Sequence, residues 1–291
     1  MLLIDPRRTH DHHDDHDDQG GLHRDLAETN VAMDRRGMLR LAARFGVAFG
    51  AIQLIGCGAD AATLAGGSTD TTGTTGGTTT TSSSCPTKVP EETAGPYPGD
   101  SSNGPNVLNQ TGVVRQDIRS SFAGLSGTVT GVPLTIKMTL VSAATCSPLA
   151  GYAIYLWHCD NGGNYSLYSS GYTNQNWLRG VQQADSNGVV QFTSIYPGCY
   201  SGRWPHIHFE VYQSLTAATA VKNKIATSQI AMPLASNNLV YATSNYSSSA
   251  RNQANITLAT DNVFSDGASL ELATITGDVT NGMTAALTVA V

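Results

Sequence analysis

Charge is scarce in this chain: Lys, Arg, Asp and Glu make up 13% of its 291 residues, and aromatic residues only 7%. From Cys57 onward nine Lys and Arg stand against thirteen Asp and Glu, and the whole chain carries −6. A nucleic-acid partner needs a basic stripe, so that class of partner is excluded. Long apolar runs are missing too. The stretch from Phe45 to Ile55 is too short for a bilayer, which takes about 20 residues. No cysteine pair has the spacing of a zinc ribbon. What is abundant is Gly, Ser and Thr, a composition that favours one β-rich unit with mobile ends.

The first part of the chain reads as an address. Asp34-Arg35-Arg36-Gly37-Met38-Leu39-Arg40 resembles a twin-arginine export signal, and Leu54-Ile55-Gly56-Cys57 a lipobox. Cleavage before Cys57 and acylation of its sulfur would tether an extracytoplasmic protein to the cell envelope by lipid. Upstream, the run from His10 to Asp18 reads as a solvated extension of the signal. The Thr/Gly/Ser-rich stretch after Cys57 cannot bury a core and reads as a tether reaching roughly 30 Å. The expected division is therefore 1–57 signal region, 58–85 linker and 86–291 folded domain. Cys85, Cys146, Cys159 and Cys199 remain, an even number that permits two disulfides in an oxidising compartment, in any of three pairings.

Within 86–291 the dominant period is two. Leu134 to Val141 alternates apolar with polar residues, and Tyr152 to Trp157 is an apolar run. Val189 to Ile195 and Ile207 to Tyr212 follow turn signals, and further strands are expected at Ala254 to Leu258, Leu270 to Thr276 and Met283 to Val291. Short strands at this spacing predict an all-β antiparallel sandwich.

Chemistry is concentrated at Arg203-Trp204-Pro205-His206-Ile207-His208. Alternate residues of a strand share one face, so His206 and His208 project together at a metal-ligand spacing. Tyrosines end two nearby motifs: Tyr200 closes Pro197-Gly198-Cys199-Tyr200, and Tyr165 closes the stretch that begins Trp157-His158-Cys159-Asp160. Phenolates are hard anions that favour a trivalent Lewis acid, and imidazole suits borderline metals, so two of each point to ferric iron before zinc or calcium.

Together with Thr93-Ala94-Gly95-Pro96-Tyr97, Leu178-Arg179-Gly180 and Asp185-Ser186-Asn187-Gly188, these motifs resemble the intradiol ring-cleavage dioxygenases, the family of protocatechuate 3,4-dioxygenase and catechol 1,2-dioxygenase. The resemblance covers roughly residues 90 to 235 and is closest to the exported, single-chain members. It implies that Tyr165, Tyr200, His206 and His208 bind Fe(3+), with Tyr200 the ligand that leaves when substrate arrives. It also implies that Arg203 stabilises negative charge on the substrate ring, that Gln229 assists it, and that Tyr97 lines the site mouth. His158 is read as a supporting residue rather than a fifth ligand.

The implied reaction cleaves a catechol-type substrate with O2 to a cis,cis-muconate-type diacid. Nothing from Pro86 to Leu134 reads as the helical pairing region of the catechol enzymes, and a homodimer is the default assembly. The alternative is a cell-surface module that binds catecholates or ferric chelates without turnover.

Overall fold

The computed structural model describes residues 85–291. The export signal, Cys57 and the linker up to residue 84 lie outside the described residues. Eight strands form two four-stranded sheets. In chain order they are β1 Pro133–Val141, β2 Ala153–Trp157, β3 Arg179–Gln183, β4 Val189–Ile195, β5 His206–Tyr212, β6 Lys224–Ala231, β7 Thr274–Asp278 and β8 Gly282–Ala290. One sheet runs β4-β1-β8-β7 and the other β3-β2-β5-β6. Two short helices, α1 Leu234–Tyr241 and α2 Ser247–Gln253, follow β6.

Alternation in β1 puts Leu134, Ile136, Met138 and Leu140 into a core that also takes Phe192 from β4 and Val289 from β8. From the other sheet the same core takes Ile154 and Leu156 of β2 and Ile207, Phe209 and Val211 of β5. The opposite residues of β2 do not face water. Tyr155 and Trp157 join Tyr165, Val107, Leu108 and Tyr212 in a second apolar cluster, over which the loops bearing Tyr97 and Tyr200 pack. Hence every residue of β5 is buried: one face meets the opposing sheet, the other a lid of loops. His206 and His208 stand on the lidded face.

Three sequence expectations are corrected. The sandwich is not wholly antiparallel, because β8 lies parallel to β1 along Leu134↔Met283 to Val141↔Ala290. Parallel neighbours need a crossover, and the chain between these two strands runs through the whole second sheet. The residues Ala254 to Leu258 form turns instead of a strand. Their alternation is real, but the backbone amides of Ala254, Asn255 and Ile256 bond back to Ala250, Asn252 and Gln253, continuing the α2 geometry. Strand β7 starts only at Thr274, with Leu270 and Leu272 left partly exposed before it. Of the two disulfides that Cys85, Cys146, Cys159 and Cys199 permit, one forms, Cys85–Cys146, and Cys159 and Cys199 remain buried thiols.

Glu271 is buried behind β6, where Ser228 Oγ donates to its carboxylate at 3.2 Å. Burial, reinforced by Glu92, pushes its carboxyl from 4.5 up to about 8. The folded chain thus keeps a proton that the unfolded chain releases, so this contribution to stability is full below about pH 4.5 and is lost as pH rises through about 8. The melting temperature should fall by roughly 5 °C between about pH 5 and 9 through this group, and Glu271→Gln should flatten that decline. An unchanged slope in the variant would place the titration elsewhere.

Candidate metal centre

Strand β5 supplies the two imidazoles, and its neighbours orient them. His208 pairs in register with Trp157 on β2 and Gln229 on β6. The indole of Trp157 stacks flat on the His208 ring, 4.9 Å between centroids. The Nδ1 atom of His206 sits 2.5 Å from the Trp204 carbonyl. A carbonyl can only accept, so that nitrogen carries the proton and Nε2 presents its lone pair. Burial, with the Arg203 charge adding to it, holds the proton affinity of His206 well below the ordinary range. Burial does the same for His208, with His206 and then Arg203 adding to it. Both rings are neutral at neutral pH.

Two loops bring the tyrosines to this pair. The loop from Asp160 to Tyr165 and the turn from Pro197 to Tyr200 are pressed together, Gly198 N donating to Asp160 O at 2.9 Å. A Cβ on Gly198 would stand 2.4 Å from that same oxygen, and one on Gly163, where φ is +93°, would meet Tyr200 Cβ at 3.0 Å and Cα at 3.2 Å. Glycine is therefore required at both contacts. Helix α2 fastens the two loops from behind. Ser249 Oγ accepts from Cys199 N at 2.9 Å and donates to Asn161 O at 2.8 Å, while Asn252 Nδ2 donates to Cys199 O at 2.8 Å.

As a result, four donor atoms meet. Tyr165 Oη lies 3.4 Å, Tyr200 Oη 3.3 Å and His208 Nε2 3.0 Å from His206 Nε2. Among the described residues no group of three or more His, Cys, Asp or Glu side chains is placed to hold a metal, so a metal here depends on the two phenols. The set fits one. Bonds of about 2.0–2.1 Å to a shared ion would separate neighbouring donors by about 3 Å. His208 Nδ1 is buried without a hydrogen-bond partner, so no contact fixes its tautomer as the Trp204 carbonyl fixes that of His206. A thiolate ligand is disfavoured: burial raises the Cys159 thiol, and raises Cys199 to about 12.

Arg203, fully buried, borders the cluster. Its Nη2 donates to Gln229 Oε1 at 2.8 Å, and Gln229 Nε2 in turn donates to the Thr93 carbonyl at 2.9 Å. Tyr97, half-buried, packs 4.8 Å from the Tyr165 ring and 5.3 Å from Tyr168. The structure thus brings together Tyr165, Tyr200, His206, His208, Arg203, Gln229 and Tyr97. His158 turns away, with Nε2 at 2.7 Å from Ser194 Oγ and its proton affinity lowered to about 4 by burial.

Sequence reading missed Asp261 and Phe264. Asp261 Oδ2 accepts from Arg203 Nε at 3.0 Å, and the Phe264 ring lies 6.4 Å from that of His206. Neither sits in a motif, and both arrive from a loop far along the chain.

Residues 103–220, which include all four donors and Arg203, match the Dioxygenase family model, Dioxygenase_C. The two-sheet fold is that of solved intradiol dioxygenases. Among solved structures it is similar to an intradiol ring-cleavage dioxygenase from Tetranychus urticae, with 24% identity, 70% of this chain and 94% of that one covered, and a TM-score of 0.55. A second crystal structure of a dioxygenase matches at 24% identity over 71% of this chain and 94% of the other, TM-score 0.56. The dioxygenase domain of a carbohydrate-binding fusion from Streptomyces sp. SirexAA-E matches at 21% identity over 70% and 98%, TM-score 0.46. No curated protein matches the chain in sequence. The domain's strand β6 with Gln229, and the loop with Asp261, lie past the matched segment.

Because the loop contact at Gly163 admits no side chain, Gly163→Ala should cost about 1–3 kcal/mol through φ strain and displacement of Tyr200. A lowered urea midpoint with unchanged slope is the expected reading; an unchanged midpoint would show that the loops are not pressed together as described.

Proposed function

We propose that this protein is an iron(III)-dependent intradiol dioxygenase, opening the ring of a catechol-type substrate between its two hydroxyl-bearing carbons. Both atoms of O2 enter the product, a cis,cis-muconate-type diacid. The observation that supports this most is the placing of two phenol oxygens and the Nε2 of His208 each 3.0–3.4 Å from His206 Nε2. Two hard anionic donors beside two imidazoles suit a trivalent iron better than zinc.

Ferric iron held by Tyr165, Tyr200, His206 and His208 would supply Lewis acidity to the two oxygens of a bound catechol. The chain's own residues do the rest. His206 and His208, kept neutral by burial, offer lone pairs without competing protons. Tyr200 is the more exposed of the two tyrosines. As a phenolate, its oxygen can take up a proton given up by a catechol hydroxyl. Arg203 presents a buried cation beside the ring, where negative charge grows as the ring is attacked, and low polarity strengthens that attraction. Gln229 restrains one edge of the guanidinium. Tyr97 and Tyr168 form an aromatic wall beside Tyr165. We further propose export by the twin-arginine route and attachment to the envelope through lipid at Cys57.

Purified full-length protein should contain about one iron per chain, show a visible phenolate-to-iron absorption and consume O2 when given catechol. Tyr200→Phe should shift the absorption and cut kcat by at least about 100-fold, and His206→Ala should abolish iron binding. Colour and iron without O2 uptake would favour a catecholate-binding module instead, and protein with neither iron nor O2 uptake would overturn the reading. For the address, Cys57→Ser should move the protein from the membrane fraction to the soluble one, and an unchanged distribution would reject the lipid anchor.

A further inference from the structure

The carboxylate of Asp261 is fully buried, and each of its oxygens has two partners. Oδ2 accepts from Arg203 Nε at 3.0 Å and from the Trp204 amide at 2.6 Å; Oδ1 accepts from the amides of Val263 at 2.8 Å and Phe264 at 3.1 Å. The ion pair is dry, with 1% and 0% of the two side chains exposed. One group therefore joins three things: the guanidinium edge of Arg203, the backbone two residues before His206, and the residue whose ring lies against both. The Phe264 ring is 5.9 Å from the Arg203 guanidinium carbon and 6.4 Å from the His206 ring.

We propose that Asp261 is the positioning residue for Arg203 and, through the Trp204 amide, for the start of the histidine strand. Arg203 is held at two points by groups of different kind. Gln229 fixes Nη2 by a neutral hydrogen bond; Asp261 fixes Nε and supplies a fully buried carboxylate ion-paired to it. Without that carboxylate the buried guanidinium would lose a dry ion pair, and with it an offset to its cost of desolvation. Asp261 touches no donor atom of the metal cluster in its hydrogen bonds, so its effect on chemistry must pass through Arg203 or the Trp204 amide, and the charge it carries acts on Arg203. The arrangement also ties the loop after α2, beyond the matched dioxygenase segment, to the site.

The kinetic arm of the test rests on the catechol reading, and the thermal arm does not. Asp261→Asn keeps the shape and one acceptor but removes the charge. With Arg203 acting on charge that develops during ring attack, the variant should lose kcat by about 10- to 100-fold with KM changed less than about threefold. In an Arg203→Gln background the added Asp261→Asn should cost almost nothing further in kcat. It should also raise the melting temperature above that of Arg203→Gln alone, because that single variant leaves Asp261 buried without its cation. Asp261→Glu, which keeps the charge, should recover part of kcat.

Penalties that multiply in kcat and add in melting temperature would overturn the proposal, showing that Asp261 merely supports the loop. Should the wild type take up no O2 with catechol, the function reading fails and the thermal cycle still decides the Asp261–Arg203 coupling. If a single variant does not fold, the pair is read from Asp261→Glu and the double variant.

Discussion

Two neutral imidazoles that aim ring nitrogens at each other across 3.0 Å, with a phenol oxygen on either side, are in tension with a dry interior. The His206 lone pair, set by its tautomer, must be met there by a proton or a cation, because burial has removed the water that would otherwise serve. Much of the fold can be read as the means of holding that tension. The Trp204 carbonyl fixes the tautomer of His206, the Trp157 indole fixes the plane of His208, and two glycine contacts bring the tyrosine loops within reach. Each device is directional, so the fold's own contacts orient the four donor atoms.

The sandwich makes this affordable in structural terms by giving β5 two dry faces. The face with Ile207, Phe209 and Val211 closes the common core, and the other is roofed by loops. A solvent-facing sheet could carry a His-x-His pair, but its imidazoles would be hydrated, protonated near their ordinary pKa and free to rotate. The roof is itself anchored. At its start Val89 N bonds to Ala290 O of β8 and Glu92 N to Thr227 O of β6, so the segment leading to Tyr97 is tied to both sheets. The Cys85–Cys146 bridge closes a loop of sequence separation 61 just before that segment, limiting how far it can peel away in the unfolded ensemble.

How much of this could be read from residues in a row depends on range. Strands β1, β2, β4, β5 and β8 were legible because a half-buried strand writes its period directly into the sequence, and the His206/His208 face followed from the same period. The tyrosines were legible only through the motifs around them, since a lone Tyr is more often a core residue. The parallel pairing of β8 with β1 was not legible: pairing direction is decided by which edge remains open after the second sheet has formed. Ala254 to Leu258 misled because alternation over five residues is compatible with a turn that continues a helix's hydrogen bonds. Cys159 and Cys199 were eligible for a bridge by parity, yet each thiol points at backbone carbonyls, Gly198 O and Arg203 O, rather than into a disulfide.

Asp261 shows where such reading must fail and why. Its neighbours in sequence, Thr260 and Asn262, give it the look of a turn residue, and it does cap a turn through the amides of Val263 and Phe264. Half of its hydrogen bonds serve that local purpose, and the other half reach Arg203 and Trp204. A carboxylate accepts about four hydrogen bonds, so one side chain can satisfy a turn and an ion pair together. Only the local role leaves a trace in sequence. The same economy explains why Arg203 tolerates complete burial. Its charge is offset across the domain by a group that the loop must bury for its own reasons. The desolvation cost of the pair is thus shared with the folding of a turn and does not fall on the active site alone.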